Sequence, residues 1–488
     1  MNPAIQSLAA QRALEAAAAA QNMGLMRRAA CAAADKVRTL LPEPAPVTVL
    51  AGPGNNGGDA LHLACELAEA GYPVTVVSPA PQKGDEAVAA RARWDAVSGH
   101  TVREFPADAG ALIVDGLFGI GLSRAPAAPW DALIRAVNAS GVPVLALDTP
   151  SGLDATRGTA PGEAIRARHT LTFLCLKAGL LTGDGPGLCG ALEVAPLGVP
   201  PALWPPAEGG LNRPLLAPLA RKANSHKGSY GTVCVVGGSP GMLGAALLAG
   251  RAALALGAGK VHLSTLDARL AVDPGHPELM IAPHAPRLPA HQVCAIGPGL
   301  GQSGDARAAL AAALALDASL VVDADALNLV AADPALAERL ATRQAPAVLT
   351  PHPAEAARLL GRPTAEVQAD RVAAARTLAR RFGQTVVLKG AGTLIARADG
   401  FYRVNASGNA ALAAAGQGDV LSGAIAALIA QHLPPFDAAC LAVYLHGLTG
   451  DLYRARQGYM LGLAASQSAA DLADIANALL LIHERNTI

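Results

Sequence analysis

Aromatic residues make up only 3% of the 488 positions, and charge is sparse and balanced, with 38 basic and 38 acidic side chains and a formal net charge of zero. Such a chain offers neither stacking rings for single strands nor a basic face for phosphate backbones, so nucleic acid is not expected as a partner. Its seven cysteines, Cys31, Cys65, Cys175, Cys189, Cys234, Cys294 and Cys440, are odd in number and scattered. With no Cys-x-x-Cys pair and no Cys/His cluster, they suggest neither a zinc site nor a disulfide framework and read as reduced, mostly buried thiols. No uninterrupted apolar run reaches the roughly 20 residues that a membrane span needs. The opening MNPAIQSLAAQRALEAAAAAQ lacks a basic start and sets Glu15 beside its apolar run, so it reads as an amphipathic helix and not as a signal peptide. A soluble cytoplasmic protein with no membrane partner is the expectation.

What is plentiful is alanine and short β-branched runs, within an apolar fraction of 52%. Strand-like runs at 47–51, 73–78, 111–115, 142–148 and 169–176 alternate with helical stretches, and a second series follows at 231–237, 259–265, 292–296, 319–323, 346–350 and 384–389. That alternation predicts α/β architecture, with parallel sheets covered by helices. The chain is too long for one ordinary core. The proline- and glycine-rich stretch 197–220 between the two series can sustain neither helix nor central strand. Two domains are therefore expected, residues 1–212 and 213–488, each with a glycine loop after its first strand.

In the first half, AGPGNNGGD (51–59) has the glycine spacing of a dinucleotide-binding loop and follows the run Val47-Thr48-Val49-Leu50. An NAD-dependent dehydrogenase would place a carboxylate at the end of the next strand to hold the ribose hydroxyls. Here that strand ends in Ser78-Pro79-Ala80. The loop adds Asn55, Asn56 and Asp59, whose side chains supply directional hydrogen bonds or oxygen ligands; the plainer reading is a polar turn capping a helix that starts near Asp59. Asp115 in IVDGLFGIGL and Asp148 in LALDTPSGLD fall at further strand ends, where open α/β sheets bind ligands. Asn56, Asp115 and Ser151 could then give hard oxygen donors to a monovalent or divalent cation, leaving Asp148 free as a general base. One such aspartate would be taken for a turn cap; two beside a glycine-asparagine loop favour a site.

In the second half, NSHKGSYGTVCVVGGS (224–239) is weak by itself. VDADALN (322–328) and TPHPAEAARLL (350–360) place acids and His352 after strands. Gly416-Gln417-Gly418-Asp419 leads into the helical VLSGAIAALIA. Glycines there let the backbone approach a ligand, and the first helix amides make an anion hole. The helix dipole adds only about 0.3–1 kcal/mol, so Asp419 must supply the chemistry. With no Walker A and no protein-kinase signature, a ribokinase-like domain, in which a GxGD aspartate is the base, fits phosphate handling best.

Together these motifs resemble the bifunctional NAD(P)H-hydrate repair enzyme family. AGPGNNGGD, VDGLFGIGL, DTPSGLD and the early RALEAAAAAQNMGLMRRAA match its epimerase half; HKGSYG, IGPGLG, DADALN, TPHPAEA, KGAGT and GQGDVLSG match its dehydratase half in order. The resemblance implies a Rossmann-like three-layer sandwich followed by a ribokinase-like domain. In the first, Asn55, Asn56, Gly57, Gly58, Asp59, the loop Gly119, Ile120, Gly121, Leu122, Ser123, Arg124 and Ala125, and Asp148 would contact the hydrated nucleotide, while Asn56, Asp115 and Ser151 hold potassium. In the second, Ala245, Gly301, His352 and Asp419 would contact the hydrate, and Lys389, Gly390, Ala391, Gly392, Thr393 and Gly418 the adenine nucleotide with its magnesium. Asp148 and Asp419 would be catalytic. The implied partners are small molecules, NADHX, NADPHX and ADP or ATP, with a homo-oligomer left open.

Some positions depart from the family pattern. Thr149, Ala60 and Ala354 are mild changes. Before GQGD the family usually reads like GNPGMATGG, whereas this chain has Gly408-Asn409-Ala410-Ala411-Leu412-Ala413-Ala414-Ala415-Gly416. That loop bears on nucleotide choice. Two other readings stay open on sequence: a ribokinase-class small-molecule kinase with a regulatory domain, and a non-catalytic nucleotide sensor.

Overall fold

The computed structural model describes residues 4–485, except 98, 123, 217, 218 and 284–292. The chain divides into two compact units, Met1–Gly210 and Leu211–Ile488. A short strand β1 (Ala4–Ile5) pairs antiparallel with Gly209 and Gly210 of β9 (Gly209–Leu211).

Seven parallel strands form the sheet of the first unit: β2 (Val47–Ala51), β3 (Val74–Val77), β4 (His100–Val102), β5 (Leu112–Gly116), β6 (Val144–Leu147), β7 (His169–Phe173) and β8 (Ala191–Ala195). Their order is β4-β3-β2-β5-β6-β7-β8. β2, β5 and β6 are buried at every residue, as strands covered on both faces must be. Side chains alternate between two layers: Val47 and Val49 pack with the helices Leu8–Ala20, Leu25–Leu40 and Asn55–Glu69, while Leu50 and Ile113 pack with Trp130–Ala139. The result is a three-layer sandwich. Strand order reverses between β2 and β5, so the loops leaving these two strands part at a crevice. Gly52 lines that seam, because a Cβ there would lie 1.7 Å from the Leu117 carbonyl oxygen.

In the second unit the strands are β10 (Thr232–Gly237), β11 (Lys260–Thr265), β12 (Met280–Ile281), β13 (Val293–Ile296), β14 (Leu320–Val322), β15 (Ala347–Leu349), β16 (Thr385–Leu388), β17 (Leu394–Ala396) and β18 (Tyr402–Val404). They run in the order β18-β17-β16-β15-β14-β13-β10-β11-β12, parallel except for the antiparallel meander β16-β17-β18. Here the reversal lies between β10 and β13, and a Cβ on Gly237 would sit 2.0 Å from the Pro298 carbonyl oxygen. The helix Gln417–Ala430 is buried along nearly its whole length. It packs so closely on Leu243–Ala255 that a Cβ on Gly423 would meet the Ala249 carbonyl oxygen at 1.9 Å. Small residues line this crossing, among them Ala246, Ala249, Ala253, Ala424 and Ala427.

The strands expected from sequence agree with those observed to within one to three residues at each end, and β1, β4, β8, β9, β12, β17 and β18 are additional. Among the described residues no helix is long and apolar enough to cross a membrane.

Candidate functional site

The crevice of the first unit opens into a cleft of about 940 Å³, a size that suits a small ligand. Its lining includes Pro53 to Asn56, Asp59, Leu117 to Leu122, Asp148 and Phe173, with Gln11, Arg12 and Glu15 from the helix Leu8–Ala20. The helix after β2 begins at Asn55 with Gly54 as its N-cap, so Asp59 lies in the second turn and caps nothing. The helix thus starts four residues before the point near Asp59 that the plainer sequence reading gave it. Gly57 and Gly58 are buried and pack inward: a Cβ would meet the Gly52 carbonyl oxygen at 1.9 Å or the Met26 side chain at 2.8 Å.

Asp115, at the end of β5, is fully buried. Its Oδ1 accepts from Leu117 N at 3.2 Å and Ser151 Oγ at 2.6 Å, and its Oδ2 accepts from Ser151 N at 2.8 Å. Burial pushes its pKa up to about 6, against the pull of those donors. Asn56 donates from Nδ2 to Leu147 O at 3.1 Å, while its buried Oδ1 has no hydrogen-bond partner. The end of β5, the helix start and the turn after β6 thus meet, and two of the oxygens they bring, Asn56 Oδ1 and Thr149 Oγ1, are unsatisfied. Such an atom is costly unless a ligand completes it.

Asp148 follows β6 in a left-handed conformation, φ 63°, which costs a non-glycine residue roughly 1–3 kcal/mol and must be held by its surroundings. Lys177 Nζ lies 2.5 Å from Asp148 Oδ1, which also accepts from Phe173 N at 3.1 Å and Thr172 Oγ1 at 3.3 Å. The ammonium donates further to Thr172 Oγ1 at 2.7 Å and Phe173 O at 2.8 Å. Asp148, expected from sequence as a general base, thus has one oxygen committed to a buried ion pair. Its Oδ2 is directed towards Gly119, where a Cβ would lie 3.4 Å away. Two further acids face this cleft. Asp59 is pushed well above the usual carboxylate range by burial and then by the charge of Asp148, and Glu15 is raised by burial.

In the second unit, Asp419 lies in the first turn of the helix Gln417–Ala430, after Gly416 at φ 84°. Burial, reinforced by Asp323, Asp325 and Glu355 and opposed by Lys389, raises its pKa to about 7. Buried Asp323 accepts from Lys389 Nζ at 2.7 Å and Ser422 Oγ at 2.6 Å, and Lys389 Nζ is 3.9 Å from Glu355 Oε2. A Cβ on Gly418 would be 3.2 Å from that ammonium, so glycine lets the turn close over it. His352 caps the helix Pro353–Leu360, its Nδ1 accepting from Ala354 N and Glu355 N at 3.1 and 3.3 Å. Burial lowers its pKa. Gly301 N donates to Asp325 Oδ2 at 2.8 Å. Ala245 stands beside Gly299, whose Cβ would be 3.0 Å from its own. Thr393 donates to Gly390 O at 3.0 Å, closing the loop that begins at Lys389. Gln417 bridges Ser468 Oγ at 3.0 Å and His446 Nε2 at 2.9 Å, tying the turn to the two C-terminal helices.

The family model described as NAD(P)H-hydrate dehydratase matches residues 233–471, and that described as YjeF-related protein N-terminus matches residues 22–179. The chain is 39% identical over 469 residues to the bifunctional NAD(P)H-hydrate repair enzyme of Escherichia coli, covering 93% of this chain and 89% of that one. The chain belongs to the bifunctional NAD(P)H-hydrate repair enzyme family. A relative of the same description from Coxiella burnetii is 40% identical over 473 residues, or 93% of this chain and 94% of that one. The solved structure of an ADP/ATP-dependent NAD(P)H-hydrate dehydratase from Bacillus subtilis, co-crystallized with ATP/Mg2+, is 34% identical with a TM-score of 0.47. It covers 54% of this chain and 93% of its own.

The site residues expected in the first unit fall both inside and outside the cleft. Asn55, Asn56, Asp59, Asp148 and Gly119 to Leu122 line the first cleft, while Arg124 and Ala125 are exposed outside that lining and Ser123 lies outside the described residues. Lys177, Glu15 and Asp323 went unread as site residues. The available signal was a charged side chain inside or beside an apolar run, as in Phe173-Leu174-Cys175-Leu176-Lys177. Gln417 lies inside the Gly416–Asp419 motif, but its partners His446 and Ser468 carry no local signal, because only the tertiary fold brings them to it.

Proposed function

We propose that this chain repairs hydrated NADH and NADPH, residues 1–212 interconverting the R and S hydrates and residues 213–488 dehydrating the S form at the expense of ADP or ATP. The relationship that runs through 93% of the chain carries this reading, because it spans both units and both motif sets. In the first cleft, Asn55, Asn56, Asp59 and the loop from Gly119 would bind the hydrated nucleotide. The unsatisfied Oδ1 of Asn56 beside the Asp115–Ser151 pair suits a weakly hydrated cation held by one carboxylate and neutral oxygens, so these residues fit potassium. Bound there, the ion would supply fixed positive charge near the substrate.

In the second unit, Asp419 is poised to take the proton of the hydrate's hydroxyl, since a base with a pKa near 7 works well at neutral pH. Phosphoryl transfer to that oxygen makes it a leaving group, and loss of phosphate restores the nicotinamide double bond. Ala245, Gly301 and His352 would hold the hydrate and the loop Lys389–Thr393 with Gly418 the nucleotide. Among the described residues no cluster of three or more His, Cys, Asp or Glu could hold a metal alone, which fits magnesium arriving on the nucleotide's phosphates. Free cysteines, six of them buried, suit the cytoplasm.

The test supplies mixed R and S NADPH hydrates with ADP or ATP and follows recovery of NADPH absorbance. Full conversion of both forms is expected. Recovery of none would refute the dehydratase, and a halt after the S form, with the R form left at its spontaneous rate, would refute the epimerase.

A further inference from the structure

The epimerase reading leaves open which groups move protons when the hydroxyl-bearing carbon is inverted. One short segment, Cys175–Lys177, ties two carboxyls from different elements into the first cleft. Lys177 fixes Asp148 from the sheet side, with its own three donors spent on Asp148 Oδ1, Thr172 Oγ1 and Phe173 O. Leu176 anchors the entry to the helix Leu8–Ala20: Gln6 N donates to Leu176 O at 3.2 Å and Leu176 N to Ala4 O at 3.0 Å. Cys175 Sγ donates to Gln11 Oε1 at 3.5 Å, and Gln11 Nε2 donates to Glu15 Oε1 at 2.9 Å. Gln11 is buried, so its amide is a fixed strut. It holds one oxygen of Glu15 in a residue that lines the cleft.

The two carboxyls sit in opposite circumstances. Asp148 Oδ1 receives three donors including an ammonium. Glu15 receives one neutral amide, in a half-buried place facing Asp148, Lys177 and Arg12, and Asp59 and Glu86 also line the cleft. Burial raises its pKa, and the charge of Asp148 adds to that. Two carboxyls held in such different settings in one cleft suit the separate tasks of acid and base.

Resting on the epimerase reading, we propose that Glu15 is the proton donor of the inversion and Asp148 the acceptor, with Lys177 as the positioning residue that holds the Asp148 carboxyl in place. Glu15 protonates the hydroxyl on the carbon next to the ring nitrogen. The carbon–oxygen bond breaks, its electron pair leaves with water, and the nitrogen lone pair forms the iminium. Water then adds to the opposite face and gives its surplus proton to Asp148. Glu15 has lost one proton and Asp148 gained one, and solvent resets both.

The full chain is assayed without ADP or ATP, with R and S hydrates of NADH separated by chromatography and corrected for spontaneous exchange. Glu15→Gln keeps the hydrogen bonding but not the proton, and should lower the inversion rate by about 10²–10⁴-fold and abolish the fall in wild-type rate at high pH. Calorimetry of the same preparation, with the first unit's melting transition where the wild type has it, reports that the unit carrying the variant is folded. Lys177→Ala should lose inversion and regain part of it with propylammonium but not with 1-propanol, a response that a purely structural lysine would not give. Glu15→Gln within threefold of wild type, or a large loss confined to Asp59→Asn, would overturn the assignment while leaving the epimerase reading intact. A wild-type chain no faster than the spontaneous rate would overturn both.

Discussion

Lys177→Ala should cost the first unit more than its surface position in the chain sequence suggests. Lys177 and Asp148 side chains are only 5% and 10% exposed, and the ammonium makes three hydrogen bonds. Removing one partner of a buried pair leaves the other uncompensated, typically about 3–5 kcal/mol. Asp148 keeps its bonds from Phe173 N and Thr172 Oγ1 and borders the cleft, which argues for the lower end of that range. In a unit of 210 residues, about 3 kcal/mol corresponds to a melting shift of roughly 6–12 °C. Calorimetry of the full chain is the assay, because two units need not melt as one and the second transition serves as an internal reference. Combining Lys177→Ala with Asp148→Asn should cost at least about 1.5 kcal/mol less than the sum of the single changes. A shift below about 2 °C, or simple additivity, would refute the reasoning that the pair is a buried, mutually dependent unit.

Dehydration should rise with pH through about 7, because Asp419 must lose its proton to act as a base and burial has raised its pKa to that value. The kcat/KM profile on the S hydrate checks this, and a flat profile from pH 6 to 8 would remove Asp419 from the role; Asp419→Asn should cost about 10²–10⁴-fold. Gly52→Ala places a Cβ 1.7 Å from Leu117 O and should destabilise the first unit by at least about 4 kcal/mol, whereas Gly54→Ala meets nothing within 4 Å and should leave its melting temperature unchanged. Potassium should raise the first melting transition relative to tetramethylammonium, by up to about 2.7 kcal/mol at a hundredfold excess over Kd. Asn56→Leu removes the unsatisfied Oδ1 and should abolish that increment, which titration by scanning fluorimetry would show.

Much of the architecture was legible because β-branched runs buried on both faces announce themselves without tertiary information, as Val47–Ala51 and Leu320–Val322 do. The strands that escaped notice are short or half-exposed. β8 alternates exposed and intermediate residues at the sheet edge, and β17 and β18 are three residues each, although the Asp399-Gly400 turn between them is a hairpin signal. At the sites, residues borne on glycine loops and strand ends could be named in advance. Their partners could not. Lys177 is a lysine that follows an apolar run and reads as a surface charge until Asp148, 29 positions earlier, is seen to meet it. His446 and Ser468 are likewise ordinary helix residues whose connection to Gln417 is made by packing alone.

The two glycine seams have a bearing on how such a protein can change. Where strand order reverses, Gly52 abuts the Leu117 carbonyl and Gly237 the Pro298 carbonyl, with no room for even a methyl group. At these two points the crevice wall is bare main chain and is closed to substitution. Drift is left to side chains around them, such as Ile120 and Leu122 in the first unit and Met242 in the second. A lineage could retune which nucleotide it prefers many times over while these two points stay the same.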